Sequence, residues 1–259
     1  QTEAALVVKL YLPGMTASEV MALMTAGMAT IASGVMVVYV QMGVPAGHIL
    51  TASVLSAPAA LLIAKIMFPE KETSETAAES RLKVDAHTVN GIDALCRGAS
   101  EGVTLALNVI GMLIAFVAVV ALLNFILAWL QRRCGVVEPV TLQNVLGWMN
   151  APFAWLMGAP WQDCRVFGQI LGERIVLNEF IGYLTLTKHA GTLQPRTVVL
   201  ATYALCGFAN FGSIAIQIGG ISALAPARRG DLARLGLRSM MGGLLACYLT
   251  ATIAGMIVD

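Results

Sequence analysis

"LGERIVLNEFIGYLTL", residues 171–186, sets Asn178 and Glu179 between two apolar runs. No residue of opposite sign follows on the same helical face within one turn. What surrounds this carboxylate decides how it is read. The chain has 259 residues, 58% hydrophobic and 12% charged, against about 25% charged in soluble domains. The stretches Val20–Ala64, Gly102–Gln131, Thr197–Ala227 and Ser239–Val258 carry no formal charge. A crossing needs roughly 20 apolar residues, so the first stretch holds two and each of the others one. Lipid is the solvent, and a carboxylate at the centre of a membrane helix costs roughly 2.5–3.5 kcal/mol. Glu179 therefore needs a partner, a wet cavity or a ligand.

Outward from Glu179, punctuation divides the chain. Residues 2–12 read as a short helix closed by Pro13-Gly14, and Ser18 is a candidate N-cap for a helix over 19–42. "MGVPAGH" (42–48) is a turn, and a helix over 49–68 ends before Pro69. The polar stretch 69–101 reads as a linker, and 102–131 as a long span. Beyond Arg132-Arg133, the apolar segments 140–158 and 164–186 are joined by "MGAPWQD". They predict a re-entrant hairpin rather than two crossings. Thr197–Leu224 is a span broken near Gly207–Gly212, and Ser239–Val258 is the last.

Two units repeat along this order. Glu3 opens a short apolar helix, and a span with Thr30 to Gly34 at its centre follows. Glu179 lies in another short helix, followed by a span carrying "GFANFGS" (207–213). A further span, 49–68 or 239–258, closes each unit. Lys65, Lys71, Arg228, Arg234 and Arg238 cluster with Arg81, Lys83, Arg97 and Arg229 on one predicted face. The other face carries Arg132, Arg133, Lys188 and Arg196. The richer face is assigned to the cytoplasm, which makes the units enter from opposite sides. The fold class is thus an all-α polytopic membrane protein, an inverted repeat of re-entrant helical hairpins and broken transmembrane helices, an order found in secondary transporters.

Asn210 and Ser213 stand three apart and share a helical face. Their donors and acceptors suit a polyhydroxylated ligand, or equally glue between helices. Phe208 offers a flat apolar face for a ring. In "ATIASGV" (29–35) the Thr and Ser hydroxyls and the carbonyls of an unwound turn suit Na+, unless the Thr bonds back to its own helix. The five scattered cysteines read as free thiols. There is no glycine-rich nucleotide loop, zinc cluster or nucleophile elbow, so neither an enzyme, a cofactor nor a nucleic-acid partner is expected.

These motifs resemble one family. "GERIVLNEFIGY" (172–183) is similar to the signature of the concentrative nucleoside transporters, "QTEAAL" (1–6) to their first hairpin tip, and "ALCGFANFGSI" (204–214) to their helix break. "LTASVLSAPAALLIAKIMFPE" (50–70) resembles the span between. Arg174 stands where the family has Lys, Ala5 for Pro, Gly182 for Ala and Gly212 for a common Ser. The resemblance implies a homotrimer in the bacterial inner membrane, each protomer moving its transport domain like an elevator. It makes 1–68 and 132–259 the two halves of that domain, 69–101 the linker and 102–131 a scaffold span, with earlier scaffold helices lying upstream of Gln1. It implies that Gln1, Thr2, Glu3, Val35 and Phe208 surround the nucleobase, and that Glu179, Asn210 and Ser213 hold the ribose. Thr30 and Ile31 would ligate sodium together with an Asn and a carbonyl just before Gln1.

The expected function is sodium-driven import of nucleosides such as uridine, cytidine or adenosine. Proton coupling through Glu3 or Glu179 is the alternative, and a passive channel a more distant one.

Overall fold

The computed structural model describes residues 3–75 and 90–258, and among them every regular element is helical. Eleven α-helices are described: α1 (Glu3–Val7), α2 (Ala17–Ala29), α3 (Ser33–Gln41), α4 (Ala46–Met67), α5 (Gly91–Arg133), α6 (Leu142–Leu156), α7 (Trp161–Val176), α8 (Glu179–His189), α9 (Pro195–Leu205), α10 (Phe211–Leu224) and α11 (Arg229–Ile257). Among the described residues, three stretches are long and apolar enough to cross a membrane: Ala17–Gln41, Ala46–Met67 and Pro226–Ile257. The predicted span 197–224 is two short helices, α9 and α10, parted at Cys206–Asn210.

The two units run in opposite directions. The start of α2 meets the end of α4, where the Ser18 hydroxyl donates to Phe68 O at 2.8 Å. Arg238, early in α11, lies over the Phe68 ring at 5.9 Å, so α11 begins at this same end. At the opposite end the start of α9 meets the end of α11, since Arg196 donates to Gly255 O and Val258 O. The α6–α7 turn joins them there through the Arg196 Nε bond to Gly158 O at 3.1 Å. Hence α2 and α9 start from opposite ends, and α4 and α11 finish at opposite ends. This is the inverted order expected from the sequence.

Small residues let the helices close up, as membrane packing favours. A Cβ on Gly172 would stand 2.5 Å from Gln143 O and Gly147 N, and one on Gly168 would stand 2.6 Å from Gly147 O. Thus α6 and α7 touch backbone to backbone. On α11, Gly242 admits Thr25 and Gly243 admits Met28. The turn between α6 and α7 needs φ +101° at Gly158, and that between α3 and α4 needs φ +96° at Gly43, both suited to glycine.

Two boundaries differ from the sequence reading. The long span begins at Gly91 rather than 102, because Asn90 caps it through Asp93 N at 2.8 Å and Asp93 favours the first turn. Charge ends an apolar run but not a helix. The hairpin also turns elsewhere. The chain does reverse at 157–160, but a second reversal falls at Leu177–Asn178, inside the apolar segment 164–186. There Leu177 leaves the helix (φ −101°, ψ −89°) and Asn178 caps α8 through Ile181 N at 3.0 Å. Helices α7 and α8 then run antiparallel, tied by Thr185 Oγ1 donating to Glu173 Oε2 at 2.6 Å. Their outer ends are held together as Asp163 Oδ2 accepts from Gln194 N at 3.0 Å and Thr197 Oγ1 at 2.6 Å.

Candidate functional site: two helix breaks and the hairpin tip

A broken helix exposes carbonyls at one side of the gap and N–H groups at the other. Both breaks of this fold lie together. A Cβ on Gly207 would stand 2.8 Å from Ala29 O, so Cys206–Asn210 crosses directly over the end of α2. Cys247 of α11 fills the crossing, its thiol directed at Ala29 O and Cys206 O.

The tip of the α7–α8 hairpin reaches the same place with two opposite charges. Arg174, fully buried, donates from Nη1 to Ala204 O at 2.7 Å and from Nη2 to Gly207 O at 3.3 Å. A cation thereby covers the negative end of α9. On the far side of the gap Asn210 caps α10, its Oδ1 accepting from Ser213 N at 2.8 Å. The cap fixes the amide orientation, so Asn210 Nδ2 faces Glu179 Oε2 at 3.3 Å. Tyr39 of α3 donates its hydroxyl to Glu179 Oε1 at 3.0 Å, and its ring packs on Tyr183 with centroids 4.3 Å apart.

Glu179 is 5% exposed and opens onto a cavity of about 510 Å³ lined also by Asn178, Phe208, Asn210, Ser213, Asn124 and Gln143. Small-molecule sites commonly fall between about 300 and 1,000 Å³. These two side-chain donors and a backbone N–H leave a carboxylate, which has about four lone-pair sites, room to accept from a ligand. Most of the remaining wall is apolar, with Val117, Val120 and Ala121 of α5 facing Ile181 and Ile216. A ligand suited to it has hydroxyls at one end and a flat apolar body.

The structure thus brings Glu179, Asn210, Ser213 and Phe208 to one cavity. Thr30, Ile31 and Val35 lie at the first break and do not line it. Thr30 Oγ1 donates back to Ala26 O at 2.9 Å, while Ile31 and Val35 pack on the main core. Gln1 and Thr2 lie outside the described residues, and Glu3 opens α1. The sequence reading missed Tyr39, Asn124 and Gln143. A tyrosine hydroxyl in an apolar helix must find a partner, and that requirement alone could have flagged Tyr39.

Opposed broken helices around a buried carboxylate and a partly open, mostly apolar cavity are the features of a multi-pass helical membrane protein with a candidate small-molecule site. Comparison with known proteins carries this further. The family model "Na+ dependent nucleoside transporter C-terminus" matches residues 48–255. Nucleoside permease NupC of Helicobacter pylori is 41% identical over 262 residues, covering 99% of this chain and 62% of that protein. Sodium/nucleoside cotransporter 1 of Rattus norvegicus is 37% identical over 273 residues, covering 99% of this chain and 42% of that protein. A solved structure of a CNTnw double variant in an outward-facing state superposes with a TM-score of 0.89 at 39% identity, over 100% of this chain and 62% of that one. The chain belongs to the Na+-dependent nucleoside transporter family and corresponds to its C-terminal portion. It spans less than two thirds of the length of these curated relatives.

Proposed function

We propose that this chain forms the nucleoside-holding part of a sodium-driven symporter. The observation that carries the proposal is Glu179, a buried carboxylate with two side-chain donors and spare acceptor capacity, facing a cavity of nucleoside size at the hairpin tip and the second helix break. Ribose hydroxyls donate to Glu179, and a hydroxyl bonded to a carboxylate makes a charge-assisted, stronger bond. Asn210 and Ser213 stand on the same wall, and Phe208 packs on the base. Relatives named as a nucleoside permease and a sodium/nucleoside cotransporter support this substrate and this ion.

Sodium is a co-substrate here, and the first break fits it. Thr30 and Ala32 have extended backbone (ψ 161° and 139°) between α2 and α3, which turns carbonyls away from helical bonding. The Thr30 hydroxyl oxygen stands among them, and such hard oxygens suit Na+. Gln1, Thr2, Glu3 and Val35 join Phe208 as the nucleobase contacts of this reading. In the bilayer, α7–α8 is a re-entrant hairpin, entering and leaving on one side. The transport domain moves like an elevator, and the exposed Leu107, Ile114, Leu122 and Phe125 of α5 face lipid or a neighbouring protomer of a homotrimer in the bacterial inner membrane.

The test is uptake of uridine and adenosine by the full-length transporter in vesicles, under an imposed Na+ or proton gradient. Accumulation driven by Na+ is expected. Accumulation driven by protons alone would move coupling to a carboxylate, and gradient-independent equilibration would make the protein a channel. Glu179→Gln presents one oxygen and one NH2 to two donors, so one bond becomes a clash of donors. Uptake is expected to fall about 10- to 100-fold; undiminished uptake would remove Glu179 from the ribose site.

A further inference from the structure

The lining of the cavity also carries two amides, Asn124 of α5 and Gln143 of α6. Their hydrogen-bond orientation can be worked out from one obligate donor. The backbone N–H of Leu142 only donates, and it bonds Asn124 Oδ1 at 2.9 Å. Asn124 must therefore present Nδ2 elsewhere, and it does so to Gln143 Oε1 at 3.0 Å. With its oxygen engaged, Gln143 must turn its NH2 group another way. Among the described residues Nε2 has no protein partner, although this half-buried side chain lines the cavity.

The position is also rigid. Gln131 grips the residue that leads into α6, with Val140 N donating to its Oε1 and its Nε2 donating to Val140 O, both at 2.8 Å. Thr141 and Asn144 then close a capping box on α6. A side chain held at its root and at its oxygen, with two N–H donors directed at a cavity, is poised to bind an acceptor.

We propose that Gln143 is a nucleoside-contacting residue that donates from Nε2 to an acceptor on the ligand, with Asn124 as its positioning residue. The ligand group is a base carbonyl or ring nitrogen, because the hydroxyl-rich sugar is drawn to the Glu179 carboxylate. This rests on the nucleoside reading given above and adds to it a donor that selects among bases.

The decisive variant is Gln143→Glu in the full-length transporter. It keeps the shape and the oxygen that Asn124 bonds, and exchanges only the cavity-facing NH2 for a second oxygen. Uridine KM is expected to rise about 3- to 10-fold with the maximal rate within about two-fold and an unchanged melting temperature. Gln143→Met, which lacks the donor without adding charge, should show a smaller rise in the same direction. Asn124→Asp still accepts from Leu142 N but leaves Gln143 unoriented, and should raise KM for the same nucleosides only. Competition by nucleosides lacking one base acceptor each identifies the atom: that analogue binds wild type and Gln143→Glu equally. Unchanged KM in Gln143→Glu for every nucleoside overturns the proposal alone, as does an equal loss for all nucleosides together with a lowered melting temperature. Failure of wild-type protein to bind any nucleoside overturns the function itself.

Discussion

The two helix breaks are built to the same plan and finished differently. At Cys206–Asn210 both ends are satisfied within the protein, the carbonyls by Arg174 and the N–H groups by Asn210. That break is almost wholly buried. At Thr30–Ala32 the N-cap of α3 is Ala32, with no side-chain cap bond, and Ser33 and Gly34 are exposed. The same contrast holds where each broken helix starts. Asp163, buried, holds the start of α9, whereas Glu70, partly exposed, holds Thr16 at the start of α2. One unit is closed by its own side chains, and the other carries no side-chain cap at its break. This difference fits the division proposed above, a substrate wall at the closed break and an ion site at the open one.

The largest effect should come from stripping the closed break of its cation. Arg174→Leu leaves Ala204 O and Gly207 O without their buried donor, and each unsatisfied group costs about 1–3 kcal/mol. The full-length protein in detergent is expected to melt many degrees lower, with Arg174→Lys between the variant and wild type. Wild-type melting of Arg174→Leu would mean that the closed break does not depend on its cation. Next in size is Gly207→Ala, which drives a methyl into Ala29 O and Cys247 Sγ, each 2.8 Å away. Forcing the two breaks apart should cost about 1–3 kcal/mol and lower uptake with it. Retained stability and transport would show that the crossing can relax.

How far this difference could be read from sequence depends on how local its cause is. The charge-free stretches located the spans, and "GFANFGS" located the second break because glycines loosen a helix visibly. Glu179, Asn210 and Ser213 were legible for a related reason, since polar groups in an apolar run must be accounted for, and Phe208 through its place inside the glycine-loosened break. The hairpin tip was not, because Leu177-Asn178 contains neither Gly nor Pro and hydropathy runs on across it. Only the capping geometry of Asn178 ends one helix and starts the next. Tyr39, Arg174 and Gln143 act across distances in sequence that no spacing rule spans, since each meets its partner through the crossing of helices.

The open break can be closed deliberately. Ala32→Asn supplies the side-chain acceptor that Asn210 supplies in the other unit, and such a cap is worth about 0.5–2 kcal/mol. The expected variant is more stable by about 1 kcal/mol, measured by thermal melting without Na+. Its uptake should depend less steeply on Na+, because a break already capped has less to gain from an ion. A stabilised protein with an unaltered Na+ dependence would separate the first break from coupling.

The smallest effect is expected at the exposed start of the open unit. The Thr16 hydroxyl, bonded to Glu70 Oε2 at 2.7 Å, holds the Glu70 carboxyl below its ordinary range, helped by the Lys71 and Glu72 N–H groups and by Lys65. A carboxyl whose folded pKa is depressed binds fewer protons in the folded state than in the unfolded one. Its contribution is therefore full above the unfolded value of about 4.3, and it is lost as pH falls through the lower folded value. Thermal melting of wild type should drop between pH 7 and pH 3 by slightly more than that of Glu70→Gln, which cannot titrate. The margin should be small and should shrink further in high salt, since Glu70 stands in contact with solvent. Asp163, which does the matching work for α9 from a buried position, sets the contrast: Asp163→Ala removes the one oxygen, Oδ2, to which both Gln194 N and Thr197 Oγ1 donate, and should cost more than Glu70→Gln. If the Glu70 variant proved the more damaging of the two, the assignment of open and closed units would be reversed.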